Sequence, residues 1–346
     1  MNSIDFYSLD PQEKRVFFNS LAEKTGMTPF AVEKDWWVST TLNLVFRQPD
    51  ASYMVFKGGT SLSKAWGLIQ RFSEDLDFVL DGKRFGFHGE LGKNQRDKLR
   101  KTAGDFIDQV FVEALKTAFQ EVGYLQVRVE PDSKPASDRD RKINIFYPNV
   151  IPIQGYMEPR VQIEIGVRSL SEPNTRVRII SLLDQHYPEF FVSQLPELIP
   201  TVNPERTFLE KIFLLHEEFQ RSPEKMRVER MSRHLYDIMK LATTPYADTA
   251  LNTPGLYAKL VSHRHTYTRV SGVDYNAHQP QSINIIPPAP VIELWKADYL
   301  VMLDHMIYEA EPASFDELLT HISALNARIN TLPWSLPFEF PRPEKA

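Results

Sequence analysis

Apolar residues recur at helical spacing over residues 11–47: Val16, Phe17, Leu21 and Ala22 first, then, after a Thr28-Pro29 start, Trp36, Trp37, Thr40, Leu42 and Leu44. From Ser52 to Val167 the pattern is mixed. Tyr53–Phe56 reads as a short strand, Lys57-Gly58-Gly59 as a turn, and Leu62, Ala65, Trp66 and Ile69 as the stripe of a short helix. Residues 75–80 alternate, with Leu76, Phe78 and Leu80 on one face and Asp75, Asp77 and Val79 on the other. A longer helix is predicted over 94–121, with strands at 124–130, 142–147 and 160–168; PDSKPASDRDRK forms a polar loop between the first two strands. A proline-rich irregular stretch begins near 171 and includes Pro173, Pro188, Pro196 and Pro200. Asn203-Pro204 then has the form of an N-cap followed by proline in the first helical position. Helices are predicted at 204–221, 226–242, 291–309 and 314–329. This order predicts an α+β protein: a mixed domain over 1–195 and a helical domain over 196–346.

Composition narrows the classes. A chain of 346 residues has room for a large core. It contains no cysteine, which excludes a disulfide framework or thiolate zinc site and fits a cytoplasmic location. No stretch approaches the ~20 apolar residues of a membrane span, and the N-terminus has no signal-peptide pattern. The formal charge of −5 argues against coating nucleic acid by bulk charge, although a local basic groove is compatible with it.

The chemistry concentrates in FKGGTSLSKAWGLIQRFSEDLDFVL, residues 56–80. Asp75 and Asp77 lie on one strand face, about 7 Å apart along the backbone. Such a pair repels unless a divalent cation shares it, and Mg²⁺ is bound through one or two carboxylates together with substrate phosphates. Gly58 and Gly59 permit close backbone approach to a ligand. Thr60 and Ser61 open a helix whose N–H groups and hydroxyls suit a phosphate. Glu164, on the polar face of Val161–Val167 beside Gln162, is a candidate third acid for a site with two metal ions. A double glycine or an Asp-x-Asp alone is more often a plain turn or a strand end. Their order, strand–turn–helix–strand, is the specific signal.

The same residues resemble the nucleotidyltransferase superfamily with a DNA polymerase β-like palm. More narrowly, KGGTSLSKAW, RFSEDLDF, FLEKIFLLHE (208–217), RHLYDIMKL (233–241) and EKDWWVSTTL (33–42) resemble the AbiEii/AbiGii toxin family of type IV toxin–antitoxin and abortive-infection systems. The resemblance runs from about residue 30 to about 245. It implies a polymerase β-like palm preceded by N-terminal helices and followed by a C-terminal helical domain. It implies that Gly58, Gly59, Thr60 and Ser61 hold a nucleoside triphosphate, that Asp75, Asp77 and Glu164 bind two Mg²⁺ ions, and that Lys211 contacts phosphates with Asp237 completing the site. Arg71 and Ser73 are candidate pocket contacts. The implied reaction is transfer of NMP from an NTP to an RNA hydroxyl, such as a tRNA end, or to a protein hydroxyl. The implied partner is a cognate antitoxin that forms no stable complex, and no membrane is involved.

Two other readings belong to different classes: a catalytically silent nucleotide-binding module on the same fold, and a phosphotransferase acting on a protein hydroxyl. Read without the resemblance, Lys211 is an exposed helical lysine and Asp237 a surface partner of Arg233 four residues earlier. His263-Arg264-His265 lacks further ligands at zinc-like spacing and reads as a solvated loop. Three basic groups are candidates for a positive rim: Lys93/Arg96/Lys98/Arg100/Lys101, Lys134/Arg139/Arg141/Lys142 and Arg227/Arg230/Arg233.

Overall fold

The computed structural model describes residues 5–73, 75–132, 140–153, 158–190 and 198–341. Lys134, Arg139, Pro196 and the expected domain boundary at 195/196 lie outside the described residues. The chain forms two compact units, one of residues 1–67 with 72–202, the other of residues 68–71 with 203–346. No described helix is long and apolar enough to cross a membrane.

The first unit begins with α1 (Pro11–Thr25) and α2 (Pro29–Phe46). Asp10 caps α1 in a capping box with Glu13, and Gly26, at φ 72°, ends it. Thr28 caps α2, with Pro29 in the first turn. Then come β1 (Met54–Lys57), α3 (Gly58–Lys64), β2 (Asp75–Leu80), α4 (Lys93–Phe106), α5 (Val112–Glu121), β3 (Arg128–Pro131), β4 (Arg141–Phe146), β5 (Arg160–Gly166), β6 (Asn174–Val177), α6 (Leu182–His186) and β7 (Ile199–Val202). The strands form one mixed sheet in the order β3-β4-β5-β2-β1-β7-β6. The β2/β5 and β1/β7 pairs are parallel, and the other pairs are antiparallel.

One sheet face is apolar and buried, with Phe56, Leu76, Phe78, Ile143, Ile145, Val161, Ile163 and Ile165. The aromatic residues of α2 pack into this core, Phe46 edge-on to Phe78 and Trp37 stacked 5.0 Å from Tyr147. Helices α4 and α5 are joined through a π-helical turn at Ile107–Phe111. This turn has a packing reason. Leu99, Ala103, Ile107, Phe111, Leu115 and Phe119 are all buried at strict four-residue spacing. In an α-helix that row would drift steadily round the axis, and the wider turn brings it back.

Three consecutive charged residues of α2 are buried, each with its own partner. Glu33 accepts from the Val150 and Ile151 backbone N–H groups (2.7 and 3.0 Å). Lys34 Nζ donates to Glu158 O (2.8 Å). Asp35 pairs with Lys64 of α3 and accepts from Leu182 N (2.8 Å). Buried charges persist only when compensated in this way, so Glu33-Lys34-Asp35 fastens α2 to four separated segments of the unit.

Burial pushes the Glu33 carboxyl up to about 7, against the lowering effect of its two backbone donors. A folded value above the ordinary one means the associated stability is complete below about pH 4.5 and disappears as pH rises through about 7. Glu33→Gln should remove that dependence. The variant's urea stability relative to wild type should be on the order of 2 kcal/mol more favourable at pH 8 than at pH 5. A pH-independent difference would show that Glu33 ionises normally.

The structure departs from the sequence expectations at several points. α3 begins at Gly58 itself and stops at Lys64. The helical stripe predicted through Ile69 is cut because Gly67 takes φ +62° and Trp66 Nε1 donates to Val202 O (3.0 Å). Ile69 is buried as part of the second unit. The strand expected at 124–130 is confined to Arg128–Pro131, and Leu125 is exposed. The stretch expected to be irregular holds β6, α6 and β7, with β7 beside β1 in the sheet.

The second unit contains α7 (Pro204–Phe219), α8 (Ser232–Ala242), α9 (Pro245–Leu251), α10 (Pro254–Tyr267), α11 (Ile292–His305) and α12 (Phe315–Asn330). α9 and α10, each with proline in the first turn, are additional to the helices the sequence pattern predicts. His263-Arg264-His265 lies on α10, not in a loop, and Arg264 forms a two-point ion pair with Glu217 of α7. Asn203 makes no side-chain cap on α7; its amide donates instead to Glu205 Oε1 (3.0 Å). α8 starts at Ser232 rather than 226 because Arg230 takes φ 59°. Its cap is tertiary: Asp298 of α11 accepts from Arg230 N and Ser232 N (2.6 and 2.9 Å).

Candidate active site

Strand pairing sets out the acids on the face of the first unit's sheet opposite Phe56, Leu76 and Phe78. In the parallel β2/β5 register Asp75 stands opposite Gln162 and Asp77 opposite Glu164. The antiparallel registers place Lys142 of β4 opposite Glu164 and Lys57 of β1 opposite Asp77. Residues in register share a face, so Lys142–Glu164–Asp77–Lys57 is one transverse row across four adjacent strands. All four side chains are half-buried.

Gly58 follows β1 directly and takes φ +85°. A Cβ built there would lie 2.1 Å from Asp77 Oδ2. The glycine is therefore required twice, for a left-handed backbone and for the space the Asp77 carboxylate occupies. Gly58→Ala must turn that carboxylate away as well as bear about 1–2 kcal/mol of backbone strain. A folded but destabilised Gly58→Ala protein with little or no Mn²⁺ binding is the expected result, read by circular dichroism and calorimetry. Wild-type Mn²⁺ affinity in the variant would contradict the packing argument.

The hydroxyls near the glycines have internal partners. Thr60 Oγ1 donates to Asp75 O (2.6 Å) and lies 3.0 Å from Ser73 Oγ, and Ser61 Oγ donates to Gly58 O (2.9 Å). Thr60 and Ser61 are fully buried. These contacts tie the start of α3 to the first residue of β2, so the two hydroxyls expected to meet phosphate instead brace the turn and the strand that carry Gly58 and Asp75.

Glu164 is engaged by Lys142, whose Nζ lies 3.1 Å from Glu164 Oε2 and 3.2 Å from Gln162 Oε1. Among the described residues, no three acidic or histidine side chains converge in an arrangement that could hold a metal ion. Asp75 and Asp77, on adjacent positions of one face beside a glycine without a Cβ, are the carboxylates whose placement fits a divalent cation.

The second unit carries the other expected site residues. Asp237 is fully buried, bound by Arg71 through Nε (2.7 Å) and Nη2 (2.8 Å) and by Lys211 Nζ (2.8 Å). Arg71 reaches it from residues 68–71, where Arg71 bridges to Ile307 and Gln70 O accepts from Tyr308 N (3.1 Å). Burial alone would raise the Asp237 carboxyl; Arg71 and Lys211 outweigh it and hold the group well below the usual carboxylate range. Lys211 is lowered by burial and by the neighbouring Arg71 charge, against the opposing effect of Asp237. Burial and the Lys211 charge hold His234 well below the usual imidazole value, so its ring is neutral and, in the Nε2–H tautomer, accepts at Nδ1 from Lys211 Nζ 3.4 Å away. Lys211 and Asp237 are thus neither exposed nor a surface pair, and Arg71 is committed to Asp237.

The basic groups are largely paired where described. Arg96 donates to Leu91 O, Arg100 meets Asp97, Arg141 meets Asp108, and Arg227 meets Glu218.

The family model described as nucleotidyl transferase AbiEii toxin, type IV toxin–antitoxin system, matches residues 43–321. The chain belongs to the AbiEii family. It is a nucleotidyltransferase toxin of the type IV kind, on an α+β fold. Comparison with curated proteins gave no match. Among solved structures, this AbiEii protein is similar to MenT4, a nucleotidyltransferase toxin from Mycobacterium tuberculosis H37Rv, at 20% identity over 94% of each chain with a TM-score of 0.44. It is similar to JHP933 from Helicobacter pylori at 16% identity, over 93% of this chain and 94% of that one, with a TM-score of 0.38. A third likeness is to the CD-NTase CdnG of Bradyrhizobium diazoefficiens in complex with GTP, at 11% identity over 92% and 91% of the two chains, with a TM-score of 0.23.

Proposed function

We propose that this AbiEii protein transfers a nucleoside monophosphate from an NTP to an RNA hydroxyl, with Asp75 and Asp77 as the carboxylates that hold Mg²⁺. The observation that carries the reading is the seating of the Asp77 carboxylate against Gly58, on the same sheet face as Asp75. When bound, Mg²⁺ supplies positive charge at the triphosphate and lowers the cost of presenting an acceptor oxygen to phosphorus.

The chain's own residues perform the rest. Gly58 and Gly59 let the backbone approach the triphosphate without side-chain obstruction. Thr60, Ser61 and Ser73 keep the glycine turn and β2 in fixed register. In the second unit, taken by itself, Lys211 held by Asp237 is the cation we assign to phosphate; Arg71 holds Asp237 in place and is a positioning residue. In the reaction the acceptor oxygen bonds to the α-phosphorus, the bond from that phosphorus to the β-phosphate bridging oxygen breaks, and pyrophosphate leaves with the electron pair. The acceptor proton passes to solvent. The biological setting we infer is cytoplasmic, with a cognate antitoxin that acts without a stable complex.

The experiment is incubation with Mg²⁺, each α-labelled NTP in turn, and total RNA, followed by separation of RNA from protein. Label on RNA, dependent on Mg²⁺, is the expected result. Label on protein alone would replace the acceptor with a protein hydroxyl. Tight NTP binding with no transfer to either would establish the silent nucleotide-binding reading.

A further inference from the structure

The transverse row on this sheet face sets two acids between two lysines: Lys142, Glu164, Asp77, Lys57. In a site with two metal ions, a third carboxylate beside the first two binds the ions together with them. Here that position belongs to Glu164, and it already has a cation. Lys142 Nζ is held at 3.1 Å by Glu164 and at 3.2 Å by the Gln162 amide oxygen, so two acceptors from one strand fix one ammonium from the next. Gln162 is itself fixed, since its Nε2 donates to Asn144 Oδ1 (3.1 Å), which also accepts from Arg160 (2.5 Å). The Lys142 side chain remains about one quarter exposed, and Glu164 about one third. The ammonium is therefore both positioned and reachable.

Resting on the nucleotidyltransferase reading above, we infer that Lys142, anchored by Glu164 and Gln162, supplies at the third-acid position the positive charge a second metal ion would bring, so that the site takes a single divalent cation on Asp75 and Asp77. Lys142 then contacts triphosphate oxygens. Glu164 is a positioning residue for Lys142 rather than a metal ligand. A lysine suits this task because a compact ammonium with three donors keeps a free N–H direction after meeting two acceptors. As a partly exposed ion pair with no further role, Lys142–Glu164 would contribute little to folding, and its loss would leave ligand binding unchanged.

The test counts Mn²⁺ on the full chain by electron paramagnetic resonance, in the presence of the α,β-methylene analogues of ATP, GTP, CTP and UTP in turn, with calorimetry for analogue affinity. Wild type should bind one Mn²⁺ per chain, and Asp77→Asn should lose it. Glu164→Gln and Lys142→Met should each keep the ion while weakening the analogue about tenfold or more, in line with loss of a charged phosphate contact. Lys142→Arg should recover part of that affinity, and melting temperatures should confirm that all variants fold. Two Mn²⁺ ions on wild type with one lost in Glu164→Gln would overturn the inference and leave the nucleotidyltransferase reading standing. Unchanged analogue affinity in Lys142→Met would overturn it as well. A wild-type chain that binds neither Mn²⁺ nor any analogue would sink both.

Discussion

Asp75→Asn and Asp77→Asn should each reduce NMP transfer by about 10³-fold or more while leaving the protein folded. The size follows from what the pair is assigned: a bound divalent ion contributes several kcal/mol of charge stabilisation at a reacting phosphate, and each ~1.4 kcal/mol is a factor of ten in rate. Retention of the fold follows from the setting, since both side chains are half-buried on the polar face of β2 and asparagine preserves their shape. The main-chain contact from Thr60 to Asp75 O does not depend on the carboxylate. The measurement is kcat/KM for transfer, beside thermal unfolding of the same samples. Loss of activity accompanied by an equal loss of structure would assign the pair a structural role. Full activity in either variant would remove it from the metal site.

Asp237→Ala should destabilise the second unit by about 3–5 kcal/mol in urea, because it strands the Arg71 and Lys211 charges without their shared partner. Asp237→Asn, which keeps a hydrogen-bond acceptor, should cost less. The triple replacement Arg71→Met/Asp237→Leu/Lys211→Met should recover much of the stability and none of the activity. The pH dependence has a definite sign. The folded Asp237 carboxyl ionises well below its unfolded counterpart, so its contribution is complete above about pH 4 and is lost in stronger acid. Glu217, lowered to about 2 by Arg264 and His278 in spite of burial, acts in the same direction, its contribution fading as pH falls from about 4.5 through about 2. Asp237→Ala stability within about 1 kcal/mol of wild type at pH 7 would show that the buried cations find other partners.

Much of this protein was legible wherever a pattern is local. The alternation in Asp75–Leu80 correctly assigned both aspartates to the face opposite Leu76 and Phe78. The two N-terminal helices followed from Thr28-Pro29 and the aromatic spacing. The family motifs end near residue 245, yet the family match continues through residue 321. What local pattern missed depends on partners distant in sequence. β7 is four residues long, and its place in the sheet comes from pairing with β1 and β6 rather than from its own composition. The start of α8 is set by Asp298, 66 residues away from Ser232. Arg71 resembled a pocket residue because it lies just before the Asp-x-Asp, whereas its guanidinium is bound to Asp237 in the helical unit. Lys142 was visible only as one of several basic residues. Its significance arises from strand register, which sets it opposite Glu164. The buried run Glu33-Lys34-Asp35 was a recognisable motif with no readable role, since each partner lies on a different, distant segment.

Nucleotidyl transfer itself is tested most directly by following the two ends of the triphosphate. With Mg²⁺, RNA and the NTP that supports transfer, α-³²P label should appear on RNA, γ-³²P label should appear only in pyrophosphate, and the Asp75→Asn/Asp77→Asn protein should give neither. Retention of γ-³²P on RNA or protein, with no transfer from α-³²P, would contradict the account and make the reaction a phosphoryl transfer.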